Sequence, residues 1–159
     1  MNIRQIDTSF TGPFDLVVDA SEGRLTANLY SFDTNFRGRH LSVKIEAIGI
    51  GVAPRAMIVG DQLLVQANSS IWVLQDPEGA FSEIPFGYPI LRLEEVGPGM
   101  LVLHHLGCAM VSVESWLIIW QHLGGTLLDD SIEGRVLSLE FDDSKVDLDI
   151  ETGQEMSGR

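Results

Sequence analysis

Ala56-Met57-Ile58-Val59-Gly60-Asp61-Gln62-Leu63-Leu64-Val65-Gln66-Ala67-Asn68-Ser69-Ser70-Ile71-Trp72-Val73-Leu74 is the stretch that decides the fold class. Three short apolar runs, 56–59, 63–66 and 71–74, are divided by Gly60-Asp61 and Asn68-Ser69-Ser70. Runs this short are strands rather than helices, and Gly, Asp, Asn and Ser are the residues that tight turns demand. The segment therefore reads as a three-strand antiparallel meander.

The same grammar extends in both directions. Leu25 to Tyr30, Leu41 to Ile48, Val136 to Phe141 and Val146 to Glu151 alternate apolar with polar or small residues. Alternation puts one set of side chains on a buried face and the other in water, which marks half-buried antiparallel strands. Turn signals fall between the runs at Ser21-Glu22-Gly23, Pro77-Glu78-Gly79, Gly97-Pro98-Gly99 and Asp142-Asp143-Ser144. Their spacing favours an all-β chain, sandwich-like or propeller-like, over alternating β and α units. Ser112 to Gly125 admits two readings. Ser112 could cap a short helix over 113–123 that Gly124 would stop, but Trp116-Leu117-Ile118-Ile119-Trp120 is better strand material, and strand is the preferred reading.

The meander recurs. Met100 to Leu103, Ala109 to Ser112 and Trp116 to Ile119, with Glu114-Ser115 as a turn, form a second copy about 45 residues after the first. Val136 to Phe141 and Lys145 to Ile150 form a partial third, closing on Glu151-Thr152-Gly153. This pattern resembles the blades of β-propellers, whose repeats run about 40–50 residues, and the Glu-Thr-Gly ending looks like that of quinoprotein-type blades. The resemblance implies a fold and no cofactor, because the tryptophan-docking motif of quinoprotein repeats and the Trp-Asp pair of WD repeats are absent. One antiparallel β domain over 1–152 is expected, followed by a flexible C-terminal tail over 153–159.

Composition narrows the function. The chain has 159 residues, 23 acids against 10 Lys and Arg, and a formal net charge of -13. Residues 1–55 balance six acids with six bases, so the whole excess lies downstream. Phosphate recognition needs clustered Lys and Arg, so nucleic acid is excluded as a partner. The most apolar stretch, Met100 to Trp120, is interrupted by His104, His105, Gly107 and Glu114, which excludes a membrane span. The N-terminus has no signal-peptide core, and the single Cys108 forms no internal disulfide; a cytoplasmic location is expected.

Two constellations carry chemistry-bearing side chains. His104-His105-x-x-Cys108, with His122 further on, gathers soft ligands and a thiol with a nearby base. If 104–108 were one strand, His104, Leu106 and Cys108 would share a face and His105 would lie on the other. Zinc needs a second ligand pair, and none is present. A nucleophilic thiol needs a depressed pKa, whereas Leu106-Gly107-Cys108-Ala109-Met110-Val111 is apolar, so Cys108 reads as a core residue. Asp147-x-Asp149-x-Glu151 sets three carboxylates on one strand face. An EF-hand would require glycine where Thr152 stands, so the reading is a charged outer face that discourages edge pairing.

No catalytic or cofactor-binding residue is assigned, and His104, Cys108, His122, Asp147, Asp149 and Glu151 stay as metal candidates that the bland reading outweighs. The expected function is a non-enzymatic acidic binding protein that recognises a basic protein partner, with a homodimer as a further expectation. Two alternatives stand beside it: a small-ligand or metal-dependent enzyme using His104, His105 and Cys108, and a toxin-neutralising, immunity-like protein.

Overall fold

A computed structural model describes residues 1–7, 9–10, 12–24, 27–49, 52–97 and 99–156. Leu25 and Thr26 of the first alternating run, Pro98 of one turn signal and residues 157–159 of the tail lie outside the described residues. The chain is all-β, with fifteen strands in four sheets and no helix among the described residues. It divides into two compact units, Met1–Ile90 and Leu91–Arg159.

The first unit holds β1 (Arg4–Ile6), β2 (Leu16–Ala20), β3 (Asn28–Phe36) and β4 (Arg39–Ala47), in the order β1-β3-β4-β2. It also holds β5 (Arg55–Val59), β6 (Gln62–Ala67), β7 (Ser70–Leu74) and β8 (Ser82–Pro85), a four-strand meander in chain order. The hairpin between β3 and β4 turns on Arg37-Gly38, both at positive φ (49° and 78°), the mirror-image geometry whose twist matches that of the strands it joins. Along β4 the alternation holds in full: Leu41, Val43, Ile45 and Ala47 are buried. They form one core with Val18, Phe32, Phe36, Leu63, Val65 and Leu74. The pairing is mainly antiparallel, as expected, with one exception at β2, which runs parallel to β4. Ala20, the last residue of β2, and Asn28, the first of β3, both pair with Ala47, so β3 starts where β2 ends and returns in the opposite direction, which leaves β2 parallel to β4. Gln66 in β6 is buried with neither side-chain amide atom hydrogen-bonded among the described residues.

The second unit holds β9 (Ile90–Val96) from Leu91 on, β10 (Gly99–His104), β11 (Gly107–Ser112) and β12 (Ile118–Leu123), another four-strand meander. β13 (Leu127–Glu133), β14 (Val136–Phe141) and β15 (Lys145–Asp149) make a three-strand meander. Leu101, Leu103, Cys108, Met110, Leu137, Leu139, Phe141 and Leu148 share one core between these two sheets. Three successive sheets of four, four and three antiparallel strands in chain order are blade-like, as the sequence repeat implies.

Strand wins over helix at 113–123. The chain reverses at Val113-Glu114-Ser115 and Trp116 adopts φ 57°, a left-handed value that helical residues do not take. The Trp116 N–H donates to the Ser112 carbonyl and the Ser112 N–H to the Leu117 carbonyl, which closes a turn into β12. Past β15, the Asp149 N–H donates to the Gln154 carbonyl and the Met156 N–H to the Asp147 carbonyl, so residues 154–156 run back beside β15. No helix among the described residues is long and apolar enough to cross a membrane.

Candidate binding surface

Alternation along β13–β15 sorts the side chains of that sheet. Leu137, Leu139, Phe141 and Leu148 enter the core, while Asp129, Ser131, Glu133, Glu140 and Asp147 are exposed. Asp129 pairs across strands with Glu140, and Glu140 with Lys145. Carboxylates directly opposite one another destabilise a sheet, and here Lys145 Nζ, 3.9 Å from Glu140 Oε2, offsets part of that repulsion. Asp147 accepts a 2.6 Å bond from the Ser138 hydroxyl. A small concavity of about 30 Å³ opens among Asp129, Asp130, Ser131, Ser138, Glu140 and Lys145.

The three carboxylates grouped by spacing have different tasks. Asp147 and Asp149 both face outward on β15, but Glu151 lies beyond the strand, in the turn that follows. Asp149 builds that turn: its Oδ1 accepts from the Glu151 N–H at 3.0 Å, the Thr152 N–H at 3.0 Å and the Thr152 hydroxyl at 3.2 Å. Arg135 Nη2 spans Asp149 at 2.8 Å and Glu151 at 3.0 Å. Partial burial would raise the Asp149 carboxyl. The Thr152 N–H, Arg135, the Thr152 hydroxyl and the Glu151 N–H outweigh it and hold the group below the usual carboxylate range. Gly153, at φ 69°, ends the turn beneath Trp120, where a Cβ would come within 2.5 Å of the indole. The Glu-Thr-Gly ending is thus a turn tied down by Asp149, Arg135 and Trp120.

The histidine and cysteine group is only partly gathered: Cys108 and His122 are cross-strand neighbours, while His104 and His105 lie apart from them. The expected strand through 104–108 is instead a hairpin, with His105-Leu106 as its two-residue turn and His104 paired with Gly107. A Cβ on Gly107 would lie 2.2 Å from the His122 carbonyl oxygen, so the chain can turn there only because that residue has no side chain. Cys108 pairs with Leu103 on one side and His122 on the other. His104, one residue on from Leu103, therefore points to the opposite face from Cys108, contrary to the expectation that they share one.

Burial pushes the Cys108 thiol up to about 12, so it carries no thiolate near neutral pH. Burial also lowers the His104 imidazole to about 4, which keeps it neutral. His105 is exposed at the turn, and His122 stacks at a tilt 6.0 Å from Phe141. Among the described residues no group of three or more His, Cys, Asp or Glu is placed to hold a metal ion.

Beside the turn at Gly153 is a feature that motif reading missed. A cavity of about 430 Å³, lined by Val96, Gly97, Gly99, Met110, Ile119 and Ile150, carries Arg135, Gly134 and Glu151 on its wall. Ile119 belongs to β12, the margin of its sheet. Leu117, Ile118, Ile119 and Leu123 are 69%, 46%, 56% and 52% exposed. The signal was present in the sequence, since Ser115 to Leu123 lacks any charged residue, but apolar runs are assigned to a core by default. Arg92 pairs with Asp130 and, at 3.1 Å, with Glu94.

No family model matches the chain, and no curated protein matches its sequence. Among solved structures the chain is similar to that titled HIRA(644-1017), with 12% identity and a TM-score of 0.49, covering 98% of this chain and 55% of that one. It is similar also to BamB from Moraxella catarrhalis, with 15% identity and a TM-score of 0.49, covering 99% of this chain and 50% of that one. The chain spans about half the length of each of these structures.

Proposed function

We propose that this protein is a non-enzymatic interaction module that recognises a basic protein partner through its second unit. The observation that carries the reading is the exposed face of β13–β15, where Asp129, Glu133, Glu140 and Asp147 stand against Lys145. Residues 91–159 hold thirteen acids and four bases, against ten and six in residues 1–90. A surface of one sign steers an oppositely charged partner and rejects acidic ones, including nucleic acid. The placement of His104 on the opposite face from Cys108 and His122, together with the raised thiol, supports an interaction role over thiol chemistry. A toxin-neutralising protein is a special case of this reading, with a basic enzyme as the partner. The single buried thiol suits a reducing, cytoplasmic setting.

The test is capture of partners from the source cells by the immobilised chain and by a variant carrying Asp129→Asn, Glu133→Gln, Glu140→Gln and Asp147→Asn. Basic proteins released by raised salt, and lost with the neutralised variant, are the expected result. An identical captured set with both proteins would overturn the reading.

A further inference from the structure

The four sheets have eight marginal strands, and seven of them carry the usual protection against pairing with another chain. Charge interrupts each: Arg4 in β1, Asp19 in β2, Arg55 in β5, Glu83 in β8, Arg92 in β9, Asp129 in β13 and Lys145 in β15. β12 alone has neither a charged residue nor a proline. Among the described residues no strand pairs with its outer side, so alternate backbone N–H and C=O groups there have no partner strand. Its one irregularity is at Ile119: Met110 pairs with Trp120 and Val111 with Ile118, which leaves Ile119 as the extra residue of a bulge. Ile119 is also the residue of β12 that lines the 430 Å³ cavity. An uncharged edge, interrupted only by the bulge at Ile119, beside an apolar cavity has the two parts that strand addition uses, backbone groups for affinity and a pocket for a side chain.

Charge decides the occupant. Glu114 stands in the turn before β12, and Asp142 and Asp143 flank Gly125 just after it; a Cβ on Gly125 would meet their carboxylate oxygens at 2.2 and 2.9 Å. Glu151 lines the cavity. The uncharged strand is therefore bracketed by carboxylates. An antiparallel pairing of β12 with a second copy would set Glu114 of each chain against the Asp142-Asp143 end of the other, with like charges at both ends. We infer that the edge of β12 accepts an extended segment of a basic protein, apolar at alternate central positions and carrying Lys or Arg at its ends, with one apolar side chain in the cavity beside Ile119. This rests on the proposed function and specifies the surface and mode of recognition.

The experiment titrates the capped peptide Lys-Lys-Val-Thr-Val-Thr-Val-Lys-Lys, and the same peptide with Glu replacing Lys, into the isotopically labelled full chain while backbone amide shifts are followed. The expected result is saturable shifts over Leu117–Leu123 with the Lys peptide, at least about tenfold weaker with the Glu peptide. A variant carrying Ile118→Lys and Leu123→Lys, both at exposed positions, should lose the Lys peptide while its other amide shifts stay in place.

Shifts confined to Asp129, Glu133, Glu140 and Asp147 would overturn the edge assignment and leave the basic-partner reading intact. Equal binding of both peptides at β12 would overturn the basic occupant. A concentration-dependent dimer with β12 amides protected would overturn it in favour of a second copy. Absence of any binding by the Lys peptide would overturn the inference, with the capture experiment left to judge the broader reading.

Discussion

The residue with the clearest titration is His104. Its neutral imidazole is buried in the folded chain and titrates at about 4, whereas an exposed histidine titrates near 6.5. The unfolded chain therefore takes up the proton first. Stability from this group is complete above pH 6.5 and drains away as pH falls toward 4. Between pH 7 and pH 5 the loss should be about 2 kcal/mol, before most carboxylates titrate. Urea unfolding at the two pH values checks this, and His104→Leu should flatten the difference. An undiminished fall in that variant would place the pH dependence elsewhere. That one of the adjacent His104 and His105 is buried and the other solvated follows from strand alternation, but which one, and on which side, does not. The turn at His105-Leu106 uses residues that do not announce turns, and only Gly107 hinted at it.

At the scale of elements, Gly107 also supplies the sharpest prediction. It combines φ 143° with a carbonyl oxygen 2.2 Å from any added Cβ, while Gly134 has φ 63° and open space. Gly134→Ala should therefore cost about 1 kcal/mol, the penalty of a left-handed residue. Gly107→Ala should cost about 3 kcal/mol, since strand β11 would have to move away from β12. Denaturant titration of both variants measures the difference; equal losses would contradict the packing described at the hairpin.

β6, β7, β14 and β15 were legible because apolar runs are bounded by Gly60-Asp61, Asn68-Ser69 and Asp142-Asp143-Ser144. β8, β9 and β13 were not. Ser82-Glu83-Ile84-Pro85 has one apolar strand former, and β9 and β13 mix charges into both faces, so a period of two is blurred. Their strand character comes from pairing with β7, β10 and β14, which is tertiary context. The carboxylates of Asp147, Asp149 and Glu151 were visible as a set, but their division between an outer face and a turn depends on Arg135, twelve residues before Asp147.

For the whole molecule, the uneven charge matters more than its total. The acid excess is concentrated downstream of Arg55, in a chain whose last sheet turns acids outward and whose β12 edge is uncharged. Long-range attraction and short-range apolar contact then lie on one unit. The field reaches only about 8 Å in physiological salt, so it acts on encounter and orientation, and the edge strand supplies what persists after contact. The most direct test is the association rate constant of the chain with its captured partner, measured by stopped flow across ionic strength. The expected result is a steep fall as salt rises, with the dissociation rate changing far less, and a shallower slope for the variant neutralised at Asp129, Glu133, Glu140 and Asp147. An association rate indifferent to salt, or a slope that the neutralised variant leaves unaltered, would contradict it.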